Sequence, residues 1–156
     1  MKFVCPLLAV SDLEASKNFY MEIFNQEVTL DLGANVSFSG GFAIQLDFAR
    51  LLELDPDSVV KKSHNFEMYF EEDDFDSFLK KLEKRNDISY VHPPKKYPWQ
   101  QRVVRIYDPD KHIIEIGESM VTIAKRYLAE GKTVEETAQT IQHPVAFVQA
   151  VADGKI

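Results

Sequence analysis

Apolar and polar positions along this chain trace the same run of elements twice. Residues 2–10 are almost continuously apolar, the pattern of a buried strand. Asp12 follows as a helix N-cap, and Phe19, Tyr20, Ile23 and Phe24 recur at helical spacing, predicting a helix over 12–25. Three short strands are expected near 27–32, 35–39 and 42–48, with turns at Gly33-Ala34-Asn35 and Gly40-Gly41. Residues 49–63 carry Pro56 and mixed charge and read as a connector with a helical turn or two. The second round begins near Asn65. Strand 66–71 sets Phe66, Met68 and Phe70 against Glu67, Tyr69 and Glu71. Asp74 caps a helix reaching Arg85, and a strand near 88–92 leads into a loop over 93–101. Strands 102–107 and 112–117 then form a hairpin around Asp108-Pro109-Asp110-Lys111.

Residues 119–156 have a different pattern. A helix is expected from Met120 to Glu130, stopping at Gly131. Thr133-Val134-Glu135-Glu136 is a capping box opening a second helix. His143-Pro144 ends it and starts a third helix reaching Asp153.

The repeat aligns particular polar residues. Cys5 precedes the capping Asp12 by seven positions, as Glu67 precedes Asp74. Gln45 and Glu115 occupy matching places in the last strand of each round. Cys5, Gln45, Glu67 and Glu115 therefore form one constellation.

Composition narrows the picture. The 156 residues make one compact unit with a short appendage, long enough for a core without disulfides. A single cysteine fits a reducing compartment, so a cytoplasmic location is expected. The apolar start is broken by Pro6 and ends at Asp12, short for a signal peptide. No stretch approaches the ~20 apolar residues of a membrane span. The net charge of −7 disfavours nucleic acid and anionic membrane surfaces. The terminal segment resembles a helix-turn-helix, yet its third helix has no Lys or Arg and offers only Gln149. Val145, Phe147, Val148 and Val151 suit packing or dimerisation better.

Two stretches carry a family resemblance. Val10-Ser-Asp-Leu-Glu-Ala-Ser-Lys-Asn-Phe-Tyr20 and Tyr107-Asp-Pro-Asp-Lys-His-Ile-Ile-Glu-Ile116 resemble the signatures of the glyoxalase / bleomycin-resistance / extradiol-dioxygenase group, the vicinal oxygen chelate superfamily. The resemblance spans residues 1 to about 118. It implies an α+β fold of two βαβββ modules, about 1–63 and 64–118, curled around a cleft, with 119–156 as a helical extension. It further implies a divalent metal held at Cys5, Gln45, Glu67 and Glu115. Glu115 matches the family's usual glutamate. Glu67 stands where histidine is usual but glutamate occurs, and Cys5 where His or Gln is usual.

As chemistry, two carboxylates and an amide oxygen are hard ligands suited to Mg, Mn or Ca, whereas a thiolate prefers Zn or Cu(I). A three-ligand site of Gln45, Glu67 and Glu115 is the coherent metal version. Without metal, two carboxylates in one cleft repel and require a proton or a cation. Arg105 lies across the hairpin from Glu115 and is the expected cation, either for a ligand or as a structural ion pair. Tyr69, sharing the Glu67 face, is expected to wall the ligand. Trp99 is expected either at the ligand or in packing. His92 and His112 flank strand ends, where a lone histidine is usually a surface residue.

The reading favoured by these residues is a protein that holds a small organic ligand, as the resistance proteins do, without a tightly held metal. Homodimerisation is expected from the family. The alternative is a divalent-metal-dependent lyase, isomerase or transferase, with Glu67 and Glu115 as catalytic metal ligands and one doubling as base. A regulator acting through the terminal helices stands third.

Overall fold

A computed structural model describes all residues, 1–156. The elements are β1 (Leu7–Val10), α1 (Leu13–Phe24), β2 (Val28–Asp31), β3 (Asn35–Phe38), β4 (Ala43–Leu46), α2 (Phe48–Leu51), β5 (Glu67–Glu72), α3 (Phe75–Glu83), β6 (Ser89–Lys96), β7 (Arg102–Tyr107), β8 (Ile113–Glu118), α4 (Met120–Ala129), α5 (Val134–Ile141) and α6 (Val145–Ala152). One sheet has the order β1-β4-β3-β2 and the other β5-β8-β7-β6. Each is a βαβββ module with its first and last strands adjacent. This is the duplicated α+β fold that the sequence predicts.

Contacts divide the chain into two units, Met1–Phe66 with Tyr107–Ile113, and Glu67–Ile106 with Ile114–Ile156. In the first, β1 runs parallel to β4 with Ala9 opposite Gln45, and β3 runs antiparallel to β4 with Asn35 opposite Gln45. Helix α1 turns Phe19, Tyr20 and Ile23 inward. Tyr20 is fully buried and meets Phe42 edge-on at 4.9 Å, while Phe38 stacks on Phe42. The buried Tyr20 hydroxyl needs an acceptor and donates to Asp108 Oδ2 at 2.8 Å.

In the second unit, α3 buries Phe75, Phe78 and Leu82, and β7 and β8 contribute Val104, Ile106, Ile114 and Ile116 to the interior. Helices α4–α6 enclose their own apolar cluster around Ile123, Ala138, Ile141 and Val148.

The helix starts follow the predicted caps. Asp12 accepts from Ala15 N, Asp74 from Ser77 N, and Thr133 with Glu136 closes the capping box. Asn25 ends α1 at φ 51°, a left-handed conformation that asparagine tolerates.

The boundaries of β1 and β6 differ most from the sequence expectation. The first strand begins at Leu7, not residue 2. Its partner β4 spans only Ala43–Leu46, and Ala43 N already bonds Pro6 O, so residues 1–5 have no strand to pair with. Met1, Phe3 and Val4 are consequently exposed. The strand expected near 88–92 instead continues to Lys96, through Pro93 and Pro94. It is the edge strand of its sheet, the place where a sheet tolerates proline.

Glu118, at the end of β8, is 2% exposed and takes hydrogen bonds from Arg102 and Arg126. Burial disfavours its charged form, but the two guanidinium groups outweigh burial and lower its pKa from 4.5. A lowered folded pKa contributes stability that is present above the ordinary carboxylate value and is lost as pH falls through the folded value. Glu118→Gln is therefore expected to cost about 2 kcal/mol at pH 7. Urea unfolding should show that gap narrowing below about pH 4.5. A gap constant with pH would remove Glu118 from the acid response.

A candidate ligand face on the second sheet

Alternation along β5 sets Glu67, Tyr69 and Glu71 on one face, while Met68 turns inward and is buried. Strand β8 neighbours β5 and supplies Glu115; β7 neighbours β8 and supplies Arg105. Arg105 Nε donates to Glu67 Oε2 at 3.1 Å, and its Nη2 pairs with Glu115 Oε2. One guanidinium thus holds both carboxylates. Glu115 is almost wholly buried, with its side chain 11% exposed, against 43% for Glu67. A charge so shielded from water needs a partner, and Arg105 is that partner.

Arg105 has further contacts. Its Nη1 donates to Tyr97 Oη at 2.6 Å and to His92 Nε2 at 3.2 Å. A guanidinium cannot accept a hydrogen bond, so His92 accepts through Nε2 and carries its proton on Nδ1, which donates to Pro93 O. His92, expected as a surface residue at a strand end, is therefore a hydrogen-bond partner of Arg105. Its position and that of Tyr97 follow from β6, which runs on to Lys96.

Tyr97 stacks on Trp99 at 4.6 Å. Trp99 Nε1 donates to Gln101 Oε1, and Gln101 Nε2 donates to Tyr69 Oη at 2.7 Å and to Glu118 O. Tyr69 in turn donates to Glu71. Burial raises the Tyr69 pKa most, the Gln101 bond opposes it, and Glu71 adds to the rise, pushing it up to about 12. Its phenol stays neutral across physiological pH. Trp99 also packs against the α4–α6 cluster, and Tyr127 of α4 donates to Gln100. Trp99 thus packs within the second unit while its ring stacks on Tyr97. Gln101 is 4% exposed, and no local pattern in the sequence marks an amide whose partners come from β5 and β8.

Gln45 and Cys5 belong to the first unit. Gln45 is buried, accepts from Asn35 Nδ2 at 3.0 Å and donates to Leu46 O at 2.7 Å. Cys5 precedes β1 in a segment outside any strand. The four positions do not fit a metal ion as they stand. The Gln45 amide is engaged at both ends, and the carboxylates share a resident cation. No three His, Cys, Asp or Glu side chains gather as a metal-holding group.

Residues 3–121 match the Glyoxalase-like domain family, and the chain belongs to it. A protein of unknown function from Agrobacterium tumefaciens str. C58 is similar over 77% of this chain and 95% of its own, at 33% identity and TM-score 0.68. The fosfomycin resistance protein FosX from Mesorhizobium loti shares the fold at 19% identity and TM-score 0.54, over 81% of this chain and 97% of its own. A lactoylglutathione lyase from Agrobacterium tumefaciens does so at 24% and 0.52, over 76% and 95%. No curated protein matches. The helices α5 and α6 lie outside the matched family region. No helix is long and apolar enough to cross a membrane.

Gly117 gives a direct test of the Tyr69–Gln101–Trp99 relay. A Cβ there would collide with Gln101 Nε2 and come within 3.1 Å of Tyr69 Cε2. Gly117→Ala should displace the Gln101 amide, cost about 1–3 kcal/mol and shift the emission of Trp99. Wild-type emission in that variant would mean that Gln101 does not hold Trp99.

Proposed function

We propose that this glyoxalase-family protein binds a small organic molecule against the face carrying Glu67, Tyr69, Arg105 and Glu115, without a tightly held metal. One observation carries the reading: Arg105 pairs with both carboxylates at the positions where the family resemblance puts metal ligands. A divalent ion there would have to displace the guanidinium and leave it beside a like charge. Beyond Glu67, Glu115, Tyr97 and His92, Arg105 keeps one N–H on Nη2, so it suits a ligand bearing a carbonyl or an anionic group. The aromatic wall of Tyr69 and Tyr97 suits a planar or apolar body.

The working location is the cytoplasm, where Cys5 stays reduced. A homodimer is the working form; the exposed Phe3, Val4, Leu30 and Leu32 supply apolar surface for it. The second reading is a metal-dependent lyase, isomerase or transferase, with Glu67 and Glu115 as ligands and one as base. It is kept because structures named as a fosfomycin resistance protein and a lactoylglutathione lyase share the fold.

Elemental analysis after incubation with Mn, Mg or Zn separates the two readings. The metal-free reading expects no stoichiometric ion in wild type and uptake in Arg105→Ala, where two carboxylates lose their cation. Stoichiometric metal in wild type that disappears in Glu115→Ala would establish the second reading. Fosfomycin and bleomycin serve as first ligand probes, with saturable quenching of Trp99 as the expected sign of binding.

A further inference from the structure

The first unit holds a cavity of about 420 Å³ that shares no residue with the Arg105 face. Its walls come from the ends of β1 and β4, from α2, from the connector around Val59 and Val60, and from the β7–β8 turn. Most of the lining is apolar, with Val10, Leu46, Phe48, Pro56, Val59 and Val60 contributing. Ser11, Lys61, Asp110 and His112 provide a polar end, and Asp47 and Arg50 add a second charged pair.

The hydrogen bonds at that end are unevenly used. Asp108, 1% exposed, accepts from Tyr20 Oη, from His112 N and from His112 Nδ1, each at 2.8 Å. Asp110, 6% exposed, accepts from Ser11 N and Ser11 Oγ, from Ser16 Oγ and from Lys61 Nζ. The buried acceptors are thus engaged. Donors are left over. His112 Nδ1 is committed to Asp108, so Nε2 is the ring nitrogen available to a ligand. Lys61 bonds Asp110 and Ser11 and keeps a third N–H. Burial lowers the His112 pKa, but the bond and charge of Asp108, helped by Asp110, raise it overall and favour a second ring N–H. A cavity with apolar walls and surplus donors at one end selects a ligand with an apolar body and an acceptor head.

We propose that this cavity is a binding site for a small organic carboxylate, its apolar body against Phe48, Val59 and Val60 and its head at Lys61 and His112. The head replaces water at donors that the protein's own acceptors do not use. Asp108 and Asp110 hold those donors in place and counter their charge. Ser11 and Asp110 fix the β7–β8 turn against the end of β1, which keeps the polar end shaped without the ligand.

Octanoate and octan-1-ol are suitable probes, because they share a chain length and differ in the head. Backbone amide NMR of the full chain should show saturable octanoate shifts at Ser11, Val60, Lys61 and His112. Octan-1-ol and the Lys61→Met variant should each bind about tenfold more weakly, the loss expected for a charge-assisted contact. Val60→Asp places a repelling carboxylate at a position 64% exposed, leaves the core untouched and should abolish the shifts. The proposal is overturned by wild type that shows no saturable shift, by octan-1-ol binding as tightly as octanoate, or by Val60→Asp binding like wild type. Shifts confined to residues outside the cavity would overturn it equally.

Discussion

A buried carboxylate beside a second carboxylate needs a proton or a cation, and Arg105 supplies the cation. Its guanidinium reaches Glu67 on β5 and Glu115 on β8 from β7, binding three strands of one sheet through their side chains. Tyr97 and His92 complete its surroundings from the edge-strand side. A lysine could not reproduce this arrangement, because its three donors leave from one nitrogen, whereas the guanidinium reaches four partners from three nitrogens. The candidate ligand face takes its charge balance and its rigidity from that one side chain.

The two modules handle matching positions differently. In the first, the position matching Glu115 is Gln45, a neutral amide satisfied by Asn35 across the strand pair and by the backbone of Leu46. No cation is needed there. In the second, carboxylates stand at both matching positions and one cation serves them. The duplicated backbone is alike in strand order, yet the side chains have divided the work: neutral hydrogen bonding in one sheet, ionic bonding in the other. The terminal helices extend the second unit. Through Trp99 they pack against the turn that carries Tyr97, so their apolar cluster buttresses an Arg105 partner.

The duplicated fold was legible because its cues are local. Asp12 and Asp74 cap helices from positions that spacing alone identifies, and strand alternation gives the Glu67 face directly. The Arg105–Glu115 pair was also legible, since a hairpin turn sets which residues stand opposite each other. What escaped was non-local. That Glu67 joins the same guanidinium depends on strand order. That Asp108 accepts from Tyr20, 88 residues away, and Asp110 from Ser11, 99 away, is invisible to any periodicity. Those two aspartates read as turn residues, and His112 as a strand-end residue. The prolines of β6 read as loop because they cannot donate, and the edge position that tolerates them is not visible locally.

A double-mutant cycle on Arg105 and Glu115, followed by urea unfolding at pH 7, tests the central claim most directly. Arg105→Met alone leaves Glu115 buried without a cation and should be strongly destabilising. In a Glu115→Gln background the same change should cost much less, giving a coupling of about 2 kcal/mol. Additive effects, within about 0.3 kcal/mol, would mean that the guanidinium does not hold the buried carboxylate.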